Sequence, residues 1–257
     1  MLVLKNVGKS YGKVKVLSEV SLQVDPGEFV CLTGKSGAGK STLIHLLTGA
    51  EAVTAGSIEV DGVDLRSVPP PVMQLYRRRI GVVFQDYKLL PQMTVAENIA
   101  FPLEVCGVPD AEIAKRVSEL LKTLELTKHA KSLPRALSGG EKARVAIARA
   151  IAHSPIILLA DEPTGNLDPE QSAHILKIFS EINKGGTTVI LATHDTALVD
   201  AKSARIIRID DGRITSDSGS GRTKKTETKR ASMHLLEEQK SSTGSAKRKV
   251  RVTAINA

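Results

Sequence analysis

The most informative stretch of this chain is Gly34-Lys35-Ser36-Gly37-Ala38-Gly39-Lys40-Ser41. It fits the pattern G-x-x-x-x-G-K-[ST], in which the backbone N–H groups of a glycine loop converge on phosphate oxygens. Residues 29–33 before it are an apolar run typical of a buried strand, and residues 42–49 after it have helical spacing and end in a glycine. The motif therefore has the order of strand, loop and helix that a phosphate-binding loop requires.

This loop carries the side chains that would hold a triphosphate. Lys40 would reach the β- and γ-phosphates, and the Ser41 hydroxyl would hold Mg²⁺. The helix N-terminus adds positive potential at the same place. The residues that we expect to contact the nucleotide here are Gly34, Lys35, Ser36, Gly37, Ala38, Gly39, Lys40, Ser41 and Thr42.

Three more apolar runs, at residues 80–84, 156–160 and 187–193, end in polar residues that suit the same chemistry. Those polar residues are Gln85, Asp161 with Glu162, and His194. Continuous apolar runs are typical of parallel strands covered on both faces, and open α/β sheets bind ligands at the carboxyl ends of their strands. The pattern favours one shared site at that edge of the sheet.

The polar residues at this edge suggest distinct roles. Asp161 ends its strand and can face Mg²⁺ beside the phosphate loop. Glu162 comes next, so its side chain points differently and can polarise a water for attack on the γ-phosphate. His194 would contact the γ-phosphate or hold the pair of Glu162 and water, although a single histidine at a strand end is more often structural.

The rest of the chain divides into segments that differ in their strand and helix patterns. Residues 1–28 have the pattern of short strands and turns, residues 92–153 are helical, and residues 154–215 return to alternating strands and helices. We expect one domain at residues 1–216, with a helical subdomain at about residues 92–153. From residue 217 the chain is rich in Ser, Thr and Lys without sustained periodicity, which predicts a basic, mostly disordered tail at residues 217–257.

Composition narrows the class of protein. The net charge is +8, but the tail holds ten Lys and Arg against four Asp and Glu, so the body is close to neutral. The low aromatic content of 3% argues against a base-stacking nucleic-acid platform. Two cysteines form neither a zinc site nor a disulfide framework, which fits a reducing cytosol. No apolar run approaches the 18 residues of a membrane span, so we expect no membrane crossing by this chain itself.

A second motif, Leu137-Ser138-Gly139-Gly140-Glu141, lies in the helical part. Ser138 followed three residues later by Glu141 predicts a capping box at the start of an amphipathic helix. Gly139 and Gly140 would destabilise a first helical turn, so we expect them to let the helix N-terminus approach an anion closely.

These motifs together resemble those of the ATP-binding cassette (ABC) ATPases over residues 1–215. The matching positions are Tyr11 (A-loop), Gly34 to Thr42 (Walker A), Gln85 (Q-loop), Leu137 to Glu141 (signature), Ile157 to Glu162 (Walker B), Asn166-Leu167-Asp168 (D-loop) and His194 (H-loop). The resemblance implies an α/β P-loop NTPase with a RecA-like core, an N-terminal antiparallel β subdomain and an all-helical subdomain.

The resemblance also implies how nucleotide is held. ATP and Mg²⁺ are the expected ligands, with Ser41, Gln85 and Asp161 at the metal. Two chains would form a head-to-tail homodimer, in which the signature of one chain completes the site of the other. The residues implied to contact nucleotide beyond the loop are Tyr11, Ser138, Gly139, Gly140, Glu141 and Asp168, and the catalytic pair is Glu162 and His194.

Within this family, the sequence is most similar to the cell-division ATPases of the FtsE type. The similarity rests on residues 81–91, residues 94–98 and residues 101–103, together with the run from Asp161 to Asp168. It implies an FtsX-like integral membrane partner and a peripheral position on the cytoplasmic side of the inner membrane. Lys142-Ala143 replace the usual pair of glutamines after the signature, and the basic tail is not part of the common pattern.

Other functions stay open from the sequence. Within the same class, a lipoprotein-release or macrolide-export ATPase is the alternative. ABC proteins of translation or DNA repair usually carry two cassettes or a long coiled-coil insertion, and this chain has neither, so no specific nucleic acid is expected. A binding module without turnover disagrees with the presence of Glu162 and His194. The tail suits an anionic membrane, nucleic acid or simple solubility.

Overall fold

The computed structural model describes residues 1–194 and 204–219. In these residues the strands are β1 (Leu2–Tyr11), β2 (Val14–Val24), β3 (Phe29–Thr33), β4 (Ala55–Val60), β5 (Val63–Asp64), β6 (Ile80–Val83), β7 (Ile157–Asp161), β8 (Thr188–Ala192), β9 (Arg205–Asp210) and β10 (Arg213–Asp217). The helices are α1 (Lys40–Leu47), α2 (Pro70–Arg77), α3 (Val95–Val105), α4 (Asp110–Thr123), α5 (Gly139–Ile151) and α6 (Pro169–Lys184).

A six-stranded sheet in the order β10-β9-β3-β8-β7-β6 forms the centre of the fold. Its strands pair in parallel except for the antiparallel hairpin of β9 and β10. The strands β3, β8, β7 and β6 are consecutive neighbours, so the four runs that end in polar residues finish at one edge. This arrangement confirms the predicted α/β fold with a parallel core.

Both faces of this sheet are covered. In β3 all five residues are buried, and alternate side chains enter two different cores. Cys31 belongs to the core that contains the helices α3 to α6, whereas Val30 and Leu32 belong to the core that contains α1 and the antiparallel strands. The continuous apolar runs in the sequence follow from this double burial.

A second, four-stranded sheet has the order β2-β1-β4-β5 and is antiparallel throughout. The sequence suggested short separate pieces here, but β1 and β2 form one long hairpin with register shifts. Its buried side chains, such as Leu4, Val7 and Leu22, share a core with Leu43 and Ile44 of α1. The antiparallel subdomain therefore packs on the helix that follows the phosphate loop.

The helices α3, α4 and α5 fall between Val95 and Ile151. Asn98 is fully buried in α3 and holds the segment that leads into this helix. Its amide nitrogen donates to the carbonyls of Leu90, Met93 and Thr94, and its amide oxygen accepts from Leu90 N at 2.8 Å. All polar atoms of a fully buried amide are thereby satisfied, as burial requires.

The last strand extends beyond the predicted domain end at residue 216. Asp217 is the final residue of β10, and its carboxylate accepts from Arg205 Nη2 at 2.6 Å. Ser218 continues the pairing through its N–H bond to the Ile206 carbonyl. The compact unit spans Met1 to Gly219, so a tail beginning at residue 217 would divide a paired strand. The rest of the predicted tail lies outside the described residues.

Candidate nucleotide site

The loop between β3 and α1 needs glycine for steric reasons. Gly34 has φ +147°, and a Cβ there would lie 2.0 Å from the Ile209 carbonyl oxygen. Gly39 has φ +102° where α1 begins, and a Cβ there would lie 2.6 Å from Leu17 Cδ2. Other residues rarely adopt these angles, and neither position has space for a side chain. The loop is thus fixed by backbone packing on β9 and β2.

Lys40 is the first residue of α1 and is only 4% exposed. Its ammonium donates to the carbonyls of Gly34 at 2.9 Å and Lys35 at 3.1 Å. It also lies 3.6 Å from Oε1 of Glu162, the residue that follows β7. The cation is therefore held inside the curve of the loop, and it links the loop to the carboxylate after β7.

Ser41 and Asp161 form the second contact between these strand ends. Ser41 Oγ donates to Asp161 Oδ1 at 3.0 Å. Asp161 is buried, and this burial raises the pKa of its carboxyl, although the Ser41 hydrogen bond opposes the rise. A hydroxyl and a carboxylate oxygen are ligands that suit Mg²⁺. Within residues 1–194 and 204–219, no group of three or more His, Cys, Asp or Glu could hold a metal, so other ligands would have to complete such a site.

The third contact between these strand ends joins Glu162 to His194. Its Oε2 lies 3.4 Å from His194 Nδ1, while its Oε1 faces Lys40. Its backbone has φ +44°, which is uncommon for a residue with a side chain, and its N–H donates to the Ala192 carbonyl at 2.9 Å. The bond to β8 holds the carboxylate between the cation and the imidazole. Backbone strain of this kind is concentrated at functional sites.

Gln85 follows β6 at the same edge, and its side chain is exposed. Among the described residues it makes no hydrogen bond through its side chain. The two residues Tyr87 and Lys88 just after it are both left-handed, with φ +60° and +46°. Arg149 of α5 donates to the carbonyls of both, at 2.8 Å and 2.7 Å.

Arg149 was not among the residues predicted from the sequence. It is partly buried, burial lowers the pKa of its guanidinium, and the structure gives it no carboxylate partner in the described residues. A signal was available, since Arg149 lies four residues after the buried Val145 in an amphipathic helix, where an unpaired arginine is unusual. Arg149 connects the helix that begins at the second motif to the segment that follows Gln85.

The second motif has the predicted capping box. Ser138 N donates to Glu141 Oε2 at 2.8 Å, and Glu141 N donates to Ser138 Oγ at 3.4 Å. The bond from the Ser138 backbone lowers the pKa of Glu141, and His129 Nε2 lies 3.1 Å from the other carboxylate oxygen. The helix N-terminus is thus capped by its own chain.

The two glycines of this motif have a packing role that the sequence did not predict. A Cβ on Gly140 would lie 2.6 Å from Gln171 Oε1, and a Cβ on Gly139 would lie 3.0 Å from Leu167 Cδ2. Asp168 caps α6 by accepting from Gln171 N at 2.8 Å. The glycines thus let the first turn of α5 pack closely against the Leu167 and Gln171 side chains at the start of α6. The groups nearest to the two glycines therefore belong to α6 and to the loop before it.

Tyr11, the last residue of β1, is 45% exposed. Its hydroxyl donates to Glu51 Oε2, and the Lys9 ammonium lies 4.8 Å from the centre of its ring. The ring thus has a fixed hydroxyl and keeps surface that a base can contact.

Comparison with known proteins agrees with this geometry. Residues 17–165 match the sequence profile of the ABC transporter family. A cell division ATP-binding protein FtsE of Bacillus subtilis is 47% identical over 222 residues, which is 86% of this chain and 97% of that protein. The FtsE of Escherichia coli K12 is 44% identical over 220 residues, 85% of this chain and 99% of that protein.

Solved structures give the same result. A dimeric ATP-binding cassette in a post-hydrolysis state, bound to ADP and phosphate, is similar with a TM-score of 0.78. It is 37% identical, and the match covers 84% of this chain and 97% of that one.

The parallel core, the phosphate loop and these matches define an ATPase of the ABC type. Within that class, the chain belongs to the FtsE family, which it matches over nearly the full length of its relatives.

Proposed function

We propose that this chain is the ATP-hydrolysing subunit of a membrane complex that acts in cell division. The observation that carries the proposal is the set of contacts that brings Lys40, Glu162 and His194 together at the edge of the sheet. The role of the FtsE relatives in cell division supports the cellular setting.

In this proposal the phosphate loop holds the triphosphate through its backbone N–H groups. Lys40 exchanges its bonds to the Gly34 and Lys35 carbonyls for bonds to phosphate oxygens, which are charge-assisted and stronger. Glu162 accepts a proton from the attacking water, and His194 orients the Glu162 carboxylate from its other oxygen. The left-handed backbone of Glu162 fixes the direction of that carboxylate.

Ser41, Asp161 and Gln85 are the residues proposed to hold Mg²⁺. When bound, the ion neutralises charge that develops on the phosphates. The fit rests on the oxygen ligands of Ser41 and Asp161, which already lie within hydrogen-bond distance of each other. Magnesium keeps several water or phosphate ligands, so a protein site with few carboxylates suits it.

Dimerisation would complete the site. In the described residues, Ser138 to Glu141 make no hydrogen bond or ion pair with the phosphate loop of the same chain, so the motif would act on nucleotide held by a second copy. The hydrogen bond from Glu141 N to Ser138 Oγ is long, at 3.4 Å. The hydroxyl could therefore give up this bond for one to a phosphate at little cost. The dimeric state of the similar solved cassette supports this arrangement. Asp168, beside the packed glycines, would lie at the same interface.

A membrane partner of the FtsX type would dock on the apolar surface of α2 and α3. In the part of the chain that the structure describes, no helix is both long and apolar enough to span a membrane. Val72 and Leu75 of α2 and Phe101 and Val105 of α3 are exposed large apolar side chains. The two helices are joined there, since Arg78 donates to the Val105 carbonyl at 3.2 Å. Large apolar side chains exposed on two helices that a hydrogen bond links favour a protein interface, which would place the chain at the cytoplasmic face of the membrane.

Co-purification from membranes tests this function. Full-length protein should bring down an integral membrane protein, and Leu75→Asp with Phe101→Asp should lose it while keeping the ATPase rate in solution. Val63→Asp is the matched control, because Val63 is 52% exposed but lies on β5. Retention of the partner by the double variant, or its loss from the control, would contradict the docking surface. Recovery of no membrane protein with the wild type would contradict the proposed complex.

A further inference from the structure

Tyr11 and three side chains around it, Lys9, His45 and Glu51, form a connected cluster, and the proposed function gives no role to those three. Glu51 Oε2 accepts from the Tyr11 hydroxyl and lies 2.8 Å from the Lys9 ammonium. The other carboxylate oxygen of Glu51 lies 3.8 Å from His45 Nδ1. The Lys9 ammonium also lies over the Tyr11 ring, so Lys9 and Glu51 hold the same phenol by its face and by its hydroxyl.

The segment that carries Glu51 is tied to β1 at several points. Lys9 Nζ donates to the Ala52 carbonyl at 2.9 Å, and the Lys9 side chain is only 13% exposed. Thr54 N donates to the Gly8 carbonyl at 2.8 Å, and Ser10 N donates to Thr54 Oγ1 at 3.1 Å. These bonds fix the loop after α1 against the end of β1. The position of Glu51 is therefore set by backbone contacts and does not depend on Tyr11 alone.

The cluster also joins the two halves of the candidate site. His45 lies on α1, one turn after Ser41, and this helix starts at the phosphate loop. Tyr11 lies at the end of the antiparallel sheet. Through His45, Glu51 and Tyr11, the helix that begins at the phosphates is linked to the ring expected to contact the base.

We propose that Glu51 is a positioning residue that holds the Tyr11 ring in the orientation that receives the purine of ATP, with Lys9 supporting the ring. The inference rests on the proposed nucleotide site and adds a determinant of base recognition to it. An aromatic ring on a strand end can rotate, and fixing it before the base arrives removes that ordering cost from binding. Glu51 acts through Tyr11, so its effect should appear in nucleotide affinity and leave the chemical step unchanged.

Inorganic tripolyphosphate separates this role from a general effect on the fold. It has the phosphates of ATP but no base, so it reports the phosphate loop without Tyr11. For Glu51→Ala, the KM for MgATP should rise about fivefold to tenfold, a part of what stacking of one base on an aromatic ring contributes. The kcat should stay within about twofold, and the affinity for tripolyphosphate, measured by calorimetry, should be unchanged, since Glu51 does not touch the loop.

Three further variants sharpen the test. Glu51→Gln keeps an oxygen that can accept from the hydroxyl, so it should recover much of the lost affinity. Tyr11→Phe removes the hydroxyl, and adding Glu51→Ala to it should raise the KM little further, because both changes break one interaction. Glu59→Ala is the matched control: it removes a carboxylate of β4 that pairs with the exposed Lys5, and it should leave every value unchanged.

The outcomes that overturn the inference are distinct from those that overturn the nucleotide site. A wild-type KM for Glu51→Ala contradicts the positioning role. So does an equal loss of affinity for ATP and tripolyphosphate, or a full additional loss in the Tyr11→Phe background. A wild-type protein that binds neither ATP nor tripolyphosphate instead contradicts the proposed site as a whole.

Discussion

Lys40 Nζ lies 3.6 Å from Glu162 Oε1, and both side chains are largely buried, at 4% and 19% exposure. This ion pair joins the start of α1 to the residue after β7. The two residues belong to motifs that are more than a hundred positions apart in the sequence, and the sheet order β3-β8-β7 brings them together. The pair places a cation for phosphate and a carboxylate for water within one small volume.

Replacing Lys40 should remove nucleotide binding. Lys40→Ala deletes the charge-assisted bonds that the ammonium would make to phosphate, so affinity for ATP should fall by at least about 100-fold. Equilibrium binding of a fluorescent ATP analogue measures the loss. Lys115→Ala, an exposed lysine on α4, is the control and should bind as the wild type does. Undiminished binding by Lys40→Ala contradicts the role of the loop.

Replacing Asp161 should stabilise the protein in the absence of nucleotide. Burial raises the pKa of its carboxyl above the ordinary value of 3.8, so the ionised form is disfavoured in the folded state. The folded state then binds more protons than the unfolded one above that pH, and stability falls as pH rises through this window. The side chain of Asp161→Asn carries no charge, so this loss of stability should not occur in the variant. The variant's Tm should therefore be higher than that of the wild type at pH 7, and the difference should be smaller at pH 4.

Thermal unfolding with a chelator present measures this difference. Addition of MgATP should then raise the Tm of the wild type and have a much smaller effect on Asp161→Asn, because a metal ligand is lost. Asp25→Asn, at an exposed turn, is the control for removing one carboxylate. A Tm for Asp161→Asn below that of the wild type at pH 7 would show that the ionised carboxylate is stabilising, against this account.

Arg149 should be needed to hold the segment after Gln85. Arg149→Ala leaves the Tyr87 and Lys88 carbonyls without their donor, which should cost about 2–4 kcal/mol of unfolding free energy. Arg149→Lys should recover only part of the lost unfolding free energy, because an ammonium cannot replace the planar guanidinium that bonds both carbonyls. Urea unfolding measures stability, and hydrogen exchange should rise in residues 86–90. Arg135→Ala, at an exposed position, is the control. If Arg149→Ala lowers the free energy of unfolding by no more than Arg135→Ala does, Arg149 does not hold this segment.

The sequence predicted the fold and the polar residues at the strand ends, because a glycine loop and continuous apolar runs leave few alternatives. It did not predict Arg149 or Glu51, since each acts on backbone or side-chain atoms far away in the chain. Gly139 and Gly140 show a related difficulty. A glycine pair signals close approach, but only the folded structure shows that Gln171 and Leu167 are among the groups that approach.

The basic segment after Gly219 should be dispensable for ATP hydrolysis and should strengthen membrane binding. A protein of residues 1–219 keeps Asp217 and its bond to Arg205, which a cut after residue 216 would break. It should hydrolyse ATP at the full-length rate and bind anionic liposomes more weakly and with less salt sensitivity, because each Lys or Arg near such a surface contributes about 1 kcal/mol. Equal liposome binding by both forms contradicts the membrane role, and preferential binding of the full-length form to RNA would favour nucleic acid instead.

If Glu162 is the base and two copies enclose the nucleotide, the Glu162→Gln protein should form a stable dimer in MgATP, and its molar mass shows whether it does. The amide cannot accept a proton, so turnover should fall by about 10²- to 10⁴-fold, ATP should stay bound and light scattering should give a stable dimer. Adding Ser138→Arg to this variant should leave a monomer that still binds ATP, whereas adding Glu181→Gln, at an exposed position of α6, should leave the dimer intact. Turnover at the wild-type rate, or a Glu162→Gln protein that binds MgATP and stays monomeric, would contradict the account.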